Sequence, residues 1–339
     1  MILAGDVGGT STRLAFFERQ GERLKPVFDK TYHSLNYKSL EDIIRDFLTT
    51  EQAHAGLAGS PECACFGIAG PVKRRRAELP NLGWVVKADV IEAELARSPV
   101  GLINDLEANA YGVAELQPED FLTLNAGEAN STGNAAIISA GTGLGEAGFY
   151  WDGQQHRPFP SEGGHTDFAP RSEIEAELLR FLWAKLDHVS YERVLSGPGL
   201  YNIYQFFRDT GRGKEDPSIA AEMRERDPSA VISRAALDGQ CALCEQALDL
   251  FVSIYGAEAG NLALKNMATA GVYIGGGIAP KIIQKLTNPA FMTAFAAKGR
   301  MKPLLEAIQV RVILNDKAAL LGAARYARVR LNRGLGATI

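Results

Sequence analysis

The chain reads as an α/β protein made of two domains, and three observations predict this. Short apolar runs with strand character alternate with segments whose apolar residues recur at helical spacing. A strand, a glycine turn and a returning strand occur twice, at Gly5 to Thr10 and at Gly141 to Gly145. The length of 339 residues is a soft pointer to two domains.

Taken in order, Met1 to Val7 and Thr12 to Glu18 are strands joined by Gly8-Gly9-Thr10-Ser11, a tight hairpin turn. Leu24 to His33 adds a third strand. Ser39 to Thr49 carries Leu40, Ile43, Ile44 and Phe47 at helical spacing. Cys63 to Ala69 is a strand ending at Gly70-Pro71, and a helix over Asp89 to Ala96 leads into the strand that starts at Val100. In the second half, Phe121 to Leu124 and Asn134 to Ser139 are strands, and Ala147 to Trp151 returns from the glycine turn. Helices are predicted over Ser172 to Leu186, Pro198 to Asp209, and a long region from Ser233 to about Met267. Gly256, Ala257, Ala259, Gly260 and Ala263 make that region smooth on one side, which suits close packing against another helix or a subunit contact. Val272 to Ile274 is a strand before Gly275-Gly276-Gly277, Pro280-Lys281 opens a helix, Val310 to Leu314 is the last strand and Lys317 to Val329 the closing helix.

Hydrophobic residues make up 46% and charged residues 22%, enough to bury sizeable cores. The net charge of -4 is spread without long blocks, which argues against nucleic acid or an anionic membrane as partner. The longest basic run, Lys73-Arg74-Arg75-Arg76, follows a turn signal and reads as a solvated hairpin tip. No basic region followed by a long apolar run opens the chain, and no stretch has the length and apolarity of a bilayer span, so a cytoplasmic location is expected. Cys63 and Cys65 alternate on a strand as small buried residues. Cys241 and Cys244 have CxxC spacing inside a helical pattern, with no second pair or histidine nearby, and read as reduced thiols.

The stretch with most chemical promise is Leu102-Ile103-Asn104-Asp105. Asn104 and Asp105 fall where a buried strand ends, which is where ligands bind in open α/β sheets. Asp105 there is either a base or simply the cap of a helix through Ala108, Tyr111 and Val113. The glycine turns expose backbone amides to which phosphate oxygens can come close, and Thr10 and Thr142 add hydroxyls. Neither turn is a Walker A loop or a dinucleotide fingerprint. Glu162 and His165, in Ser161-Glu162-Gly163-Gly164-His165, suit capture of neighbouring hydroxyls as on a sugar, or are ordinary polar residues. Glu192 stands in a similar position. The stretch shows too few ligands for a metal.

In order along the chain, Gly5-Asp6-Val7-Gly8-Gly9-Thr10, Leu102-Ile103-Asn104-Asp105, Ser139 to Gly145, Glu162-Gly163-Gly164-His165, Glu192 to Gly199 and Gly275-Gly276-Gly277-Ile278 resemble the bacterial glucokinase family. That family belongs to the hexokinase, actin and heat-shock chaperone ATPase superfamily. The resemblance covers nearly the whole chain. It implies a two-domain actin-like ATPase (ribonuclease H-like) fold with a cleft between the domains. Residues 1-110, completed by a C-terminal helix over 316-339, would form the small domain, and 111-315 the large one.

The resemblance further implies ATP-dependent phosphorylation of glucose at its 6-hydroxyl. Gly5, Asp6, Val7, Gly8, Gly9 and Thr10 would form one phosphate hairpin and Gly141, Thr142 and Gly143 the other, with Gly275, Gly276 and Gly277 beside the nucleotide. Asn104 and Asp105 would hold the sugar's distal hydroxyls, Asp105 acting as general base. Glu162, His165 and Glu192 would bind the anomeric end. Mg²⁺ would bridge the outer phosphates with few direct protein ligands, Asp6 touching one of its waters. Domain closure would exclude water. A homodimer is expected. One departure matters: the related repressor, open reading frame and sugar-kinase group usually carries a cysteine-rich zinc motif after its active-site histidine, whereas Thr166-Asp167-Phe168-Ala169-Pro170 follows His165 here. The alternatives are a kinase for another hexose such as an N-acetylated one, a sugar-sensing regulator, which would be expected to carry a DNA-binding segment ahead of a first strand that here starts at about Ile2, and an actin-like filament protein.

Overall fold

The computed structural model describes residues 1–21, 23–51 and 59–331. It divides into two compact units: Met1–Pro118 together with the chain from Asn315 onward, and Glu119–Leu314.

The first unit runs β1 (Ile2–Val7), β2 (Ser11–Gln20), β3 (Arg23–His33), α1 (Leu40–Asp46), β4 (Cys63–Ile68), β5 (Val72–Lys73), β6 (Arg76–Leu79), β7 (Trp84–Lys87), α2 (Ala88–Glu94), β8 (Val100–Asn104) and α3 (Asp105–Val113). Its main sheet has the order β3-β2-β1-β4-β8. The β1–β2 and β2–β3 pairs are antiparallel, and β1, β4 and β8 run parallel. One face of the sheet packs on α1 and α2 through Leu3, Phe16, Ile43, Phe66 and Ile91. The other face buries Ala4, Cys65, Ile103 and Ala108. The basic run lies in a small antiparallel sheet of β5, β6 and β7, with Arg74 and Arg75 at positive φ in the tip, as a hairpin turn requires.

The second unit holds β9 (Phe121–Asn125), β10 (Ala135–Ala140), β11 (Leu144–Trp151), β12 (His156–Ser161), α4 (Glu173–Trp183), α5 (Gly197–Asp209), α6 (Pro217–Glu225), α7 (Pro228–Leu237), α8 (Ala242–Asn266), β13 (Gly271–Gly275), α9 (Ile283–Leu286), α10 (Pro289–Ala296), α11 (Lys302–Ala307) and β14 (Val310–Ile313). Its sheet has the order β12-β11-β10-β13-β14-β9. The β10–β11 hairpin beside parallel β13 repeats the arrangement of β1, β2 and β4 in the first unit. One large core joins the sheet to α5, α7 and α8.

The expected long helix from Ser233 to Met267 is two helices. α7 stops at Leu237, Gly239 turns with φ of 66°, and Cys241 caps α8 by accepting the Cys244 N–H at 3.3 Å. The CxxC pair is therefore a buried cap, and all four cysteines are free thiols. The smooth side of α8 meets α10: a β-carbon at Gly256 or Gly260 would collide with the carbonyls of Phe291 or Phe295.

The chain returns to the first unit through α12 (Ala318–Leu331), which packs against α3. The expected closing helix continued to 339, but 332–339 lie outside the described residues. α3 runs past residue 110 to Val113. Gly112 of α3 faces the Ala318 carbonyl and Gly322 of α12 faces the Ala108 carbonyl, each too close to admit a β-carbon. This crossing fastens the returning helix against α3, the helix that Asp105 opens. Replacing Gly112 or Gly322 by Ala is expected to lower stability by about 1–3 kcal/mol through overpacking, measured by chemical denaturation.

Candidate active site

The first unit gathers its polar groups at the carboxyl ends of β1 and β8. In the parallel ladder, Asp6 pairs with Gly67 and Gly67 with Ile103, so Asp6 and Asn104-Asp105 end on the same edge. Gly67 is the spacer. A β-carbon there would lie 2.8 Å from Ala108 Cβ and 3.6 Å from Asp105 Cα, so only glycine lets the start of α3 sit down on the sheet.

The helix cap falls one residue earlier than the sequence reading placed it. Asn104 is the N-cap, its Oδ1 accepting from Leu106 N at 2.9 Å and Glu107 N at 3.4 Å, while its Nδ2 donates to the Gly70 carbonyl at 3.1 Å. Asp105 is the first helical residue, half-buried, with Oδ1 accepting from Leu106 N at 2.8 Å. Asp105 is thereby relieved of the capping duty.

Asp6 is held near it. Burial, with the Asp105 carboxylate beside it, pushes Asp6 up to about 6, and Arg13 across the β1–β2 ladder opposes the shift. Arg13 is itself fixed by Asp29 at 2.7 Å and Asp316 at 3.2 Å. The hairpin between β1 and β2 is closed by Gly8 N donating to the Ser11 carbonyl at 2.9 Å. Ser34, which sequence reasoning missed, clamps this hairpin: its hydroxyl donates to the Gly8 carbonyl at 2.8 Å and its N–H to the Thr10 carbonyl at 3.0 Å.

In the second unit three segments meet at Leu144, the first residue of β11. The Gly141-Thr142-Gly143 turn precedes it, with Gly141 N donating to the Gly143 carbonyl at 2.8 Å. Glu192 Oε2 accepts the Leu144 N–H at 3.0 Å and lies over Gly143, where a β-carbon would be 2.6 Å from it. Gly164 rests on the Leu144 carbonyl so closely that no side chain fits. The single 3₁₀ turn Gly163–His165 exposes both Glu162 and His165, with His165 Nε2 3.9 Å from Glu162 Oε2. The Glu192 stretch is tied on by Ser196, whose hydroxyl donates to the Glu192 carbonyl at 2.7 Å and accepts from Gly199 N at 3.0 Å. Gly197 N, at the start of α5, donates to the Gly141 carbonyl at 2.8 Å. Glu162, His165, Glu192 and the second glycine turn therefore form one cluster.

The third glycine turn follows β13. Gly276 has φ of 82° and sits on the Ala140 carbonyl, and Ile278 N donates to that same carbonyl at 3.2 Å. Next to it lies a cavity of about 260 Å³ lined by Leu200, Asp227, Ser229, Ser233, Ile278 and Lys281. Sequence reasoning did not find this cavity; its only local signal is Asp227-Pro228, which marks the start of α7. Among the described residues no group of three or more His, Cys, Asp or Glu side chains could hold a metal ion.

The solved structures that resemble this one place the fold. The crystal structure of a glucokinase from an Antarctic psychrotroph aligns with a TM-score of 0.83 and 31% identity, covering 97% of this chain and 98% of that one. A ROK family glucokinase from Streptomyces griseus, solved with glucose and AMPPNP, aligns with a TM-score of 0.65 and 22% identity, covering 97% and 99%. The repeated hairpin-and-parallel-strand units, with carboxylates and glycine turns at their strand ends, make this a sugar kinase of the actin-like ATPase fold. The glucokinase family profile matches residues 3–330, and the glucokinase of Nostoc sp. (strain PCC 7120 / SAG 25.82 / UTEX 2576) is 45% identical over 338 residues, covering 96% of this chain and 98% of that protein. The chain belongs to the glucokinase family.

The raised Asp6 gives a prediction with a definite sign. Keeping Asp6 ionised costs stability as pH rises from its ordinary range near 3.8 through about 6. Asp6→Asn removes that cost, so the ligand-free variant should be more stable than the wild type above about pH 7, by about 1–2 kcal/mol, with the difference vanishing near pH 4. Thermal melts across this range check it.

Proposed function

We propose that this chain phosphorylates glucose at its 6-hydroxyl with ATP, with Asp105 as the general base. Family membership supports the reaction, and one observation carries the role of Asp105: its carboxylate stands at the end of β8, on the same sheet edge as Asp6, while Asn104 does the capping. The 6-hydroxyl proton passes to an Asp105 carboxylate oxygen as the hydroxyl oxygen bonds to the γ-phosphorus and ADP leaves.

The remaining residues bind and orient. Asn104 and Asp105 take the sugar's distal hydroxyls; Glu162, His165 and Glu192 take its anomeric end. Exposed carboxylate and imidazole groups on one compact turn suit paired hydroxyls, and Glu192 adds a further acceptor anchored by Leu144 N. The backbone amides of Gly5 to Thr10 and of Gly141 to Gly143 hold the triphosphate oxygens. The cavity beside Gly276 suits the adenosine end, where Asp227, Ser229 and Lys281 offer polar groups between apolar walls of Leu200 and Ile278.

Mg²⁺ fits the charge of the first unit. Burial and the Asp105 carboxylate beside it disfavour ionisation of Asp6, with Arg13 as partial counterion, and a divalent cation relieves that cost. Asp6 would hold the ion through its water shell, and the ion would neutralise the outer phosphates. Among the described residues no helix is long and apolar enough to cross a membrane, and the reading includes a cytoplasmic, homodimeric protein, tested by fractionation and by sedimentation equilibrium.

Asp105→Asn is expected to lower kcat by about 10²–10⁴ while the glucose Kd from calorimetry changes little. Wild-type turnover in that variant contradicts the assignment. Glu162→Gln is expected to raise the glucose KM with the ATP KM unchanged; an unchanged glucose KM moves the sugar site elsewhere. A panel of hexoses with coupled ADP detection separates glucose from an N-acetylated hexose as substrate.

A further inference from the structure

Glu146 plays no part in the site described so far, yet it is one of the few charged residues buried in the second unit, at 1% exposure. It sits in β11, two residues beyond Leu144, paired with Ile138 on one side and Ser161 on the other. Its carboxyl lies directly under Gly163, where a β-carbon would overlap Oε2, and the Ser161 hydroxyl beside it accepts the Gly163 N–H at 2.9 Å. Its Oε1 is buried without a hydrogen-bond partner.

On the side away from the turn the carboxyl meets Glu258 of α8, which is fully buried. Glu258 has partners of its own: Lys265 Nζ at 3.1 Å and Asn261 Nδ2 at 2.7 Å. Asn261 Nδ2 also donates to the Tyr191 hydroxyl at 3.0 Å, and Tyr191 N donates to the Thr166 carbonyl at 3.0 Å. α8 thus reaches both ends of the turn that carries Glu162 and His165, through Glu146 under Gly163 and through Tyr191 at Thr166.

We propose that Glu146 is a positioning residue for the sugar: its carboxyl braces the Gly163–His165 turn against Glu258 of α8 and sets where Glu162 and His165 stand. This rests on the reading of that turn as sugar-binding. Both buried carboxyls have the Lys265 ammonium as a neighbour. Glu258 holds the donors, so the proton stays on Glu146, which burial and Glu258 push up to about 8. As a neutral acid Glu146 fills the space under Gly163; ionised, it is a buried anion against the Glu258 carboxyl, and the exposed turn is the part free to yield. The other groups facing the pair are Tyr255 on α8, Tyr191, and Lys298 beyond α10. Lys298 donates to Asn261 Oδ1 at 2.5 Å and is pushed down to about 8 by burial and Arg171. Because Lys298 titrates in the same range, the test must change Glu146 alone.

Steady-state constants for both substrates are measured from about pH 7 to about pH 9.5 for the wild type, Glu146→Gln and Glu146→Ala, with melting curves to confirm folding. In the wild type the glucose KM should rise above about pH 8. Glu146→Gln, neutral and of the same shape, should keep the wild-type glucose KM at neutral pH and stay flat to the alkaline end. Glu146→Ala should raise the glucose KM about tenfold at neutral pH, with the ATP KM and kcat within about twofold. An alkaline rise in Glu146→Gln matching the wild type overturns the proposal, as does a folded Glu146→Ala with a wild-type glucose KM. If Glu146→Ala does not melt cooperatively, the Glu146→Gln profile decides. Failure of the parent reading looks different: the wild type then does not turn over glucose, or Glu162→Gln leaves its KM unchanged.

Discussion

The active-site geometry of the first unit depends on how closely α3 approaches the sheet at Gly67. Three parallel strands end together, and the missing side chain at Gly67 lets the helix begin directly on them. Asp105 is brought so near Asp6 that the two carboxylates feel each other's charge. Such repulsion is tolerated because the rest of the unit over-determines it. Arg13 lies across the ladder from Asp6, and α12 locks against α3 at two glycine contacts. Negative charge of this kind, held in place before any ligand arrives, suits the proposed uptake of a proton and of a divalent cation.

The second unit solves a matching problem with backbone rather than charge. One residue, Leu144, gives its N–H to Glu192 and its carbonyl face to Gly164. The Gly141–Gly143 turn, the Glu192 segment and the Gly163–His165 turn are therefore registered on a single strand end. Glu192, proposed to bind the sugar, also holds the amide that follows the Gly141–Gly143 turn, so in the proposed site the two ligands are not positioned independently.

Much of this was legible in the sequence because it rests on local rules. Strand ends, glycine turns and helix starts are written in consecutive residues, and the two hairpins, the β8 end and the basic tip between β5 and β6 all fall where those rules put them. The misreadings have physical causes. Asn104 and Asp105 are both competent caps, and only the length of β8 decides between them. The break between α7 and α8 was hidden because both helices bury their apolar faces in one core, so the helical period continues across Gly239. β12 was missed because it is an edge strand of His, Arg and Pro with little apolar alternation. Ser34, Glu146 and the cavity at Asp227, Ser229 and Lys281 depend on partners far away in the chain. A lone glutamate in a strand looks like surface until the helix opposite it is known.

In the proposed reaction the Asp105 carboxylate takes the proton from the sugar's 6-hydroxyl. The most direct measurement is a crystal structure of the protein with glucose and a non-hydrolysable ATP analogue. An Asp105 carboxylate oxygen is expected within about 2.6–3.2 Å of the glucose 6-hydroxyl oxygen, with the γ-phosphorus in line beyond it. A bound sugar whose 6-hydroxyl faces some other side chain, with the Asp105 carboxylate out of reach, would contradict it.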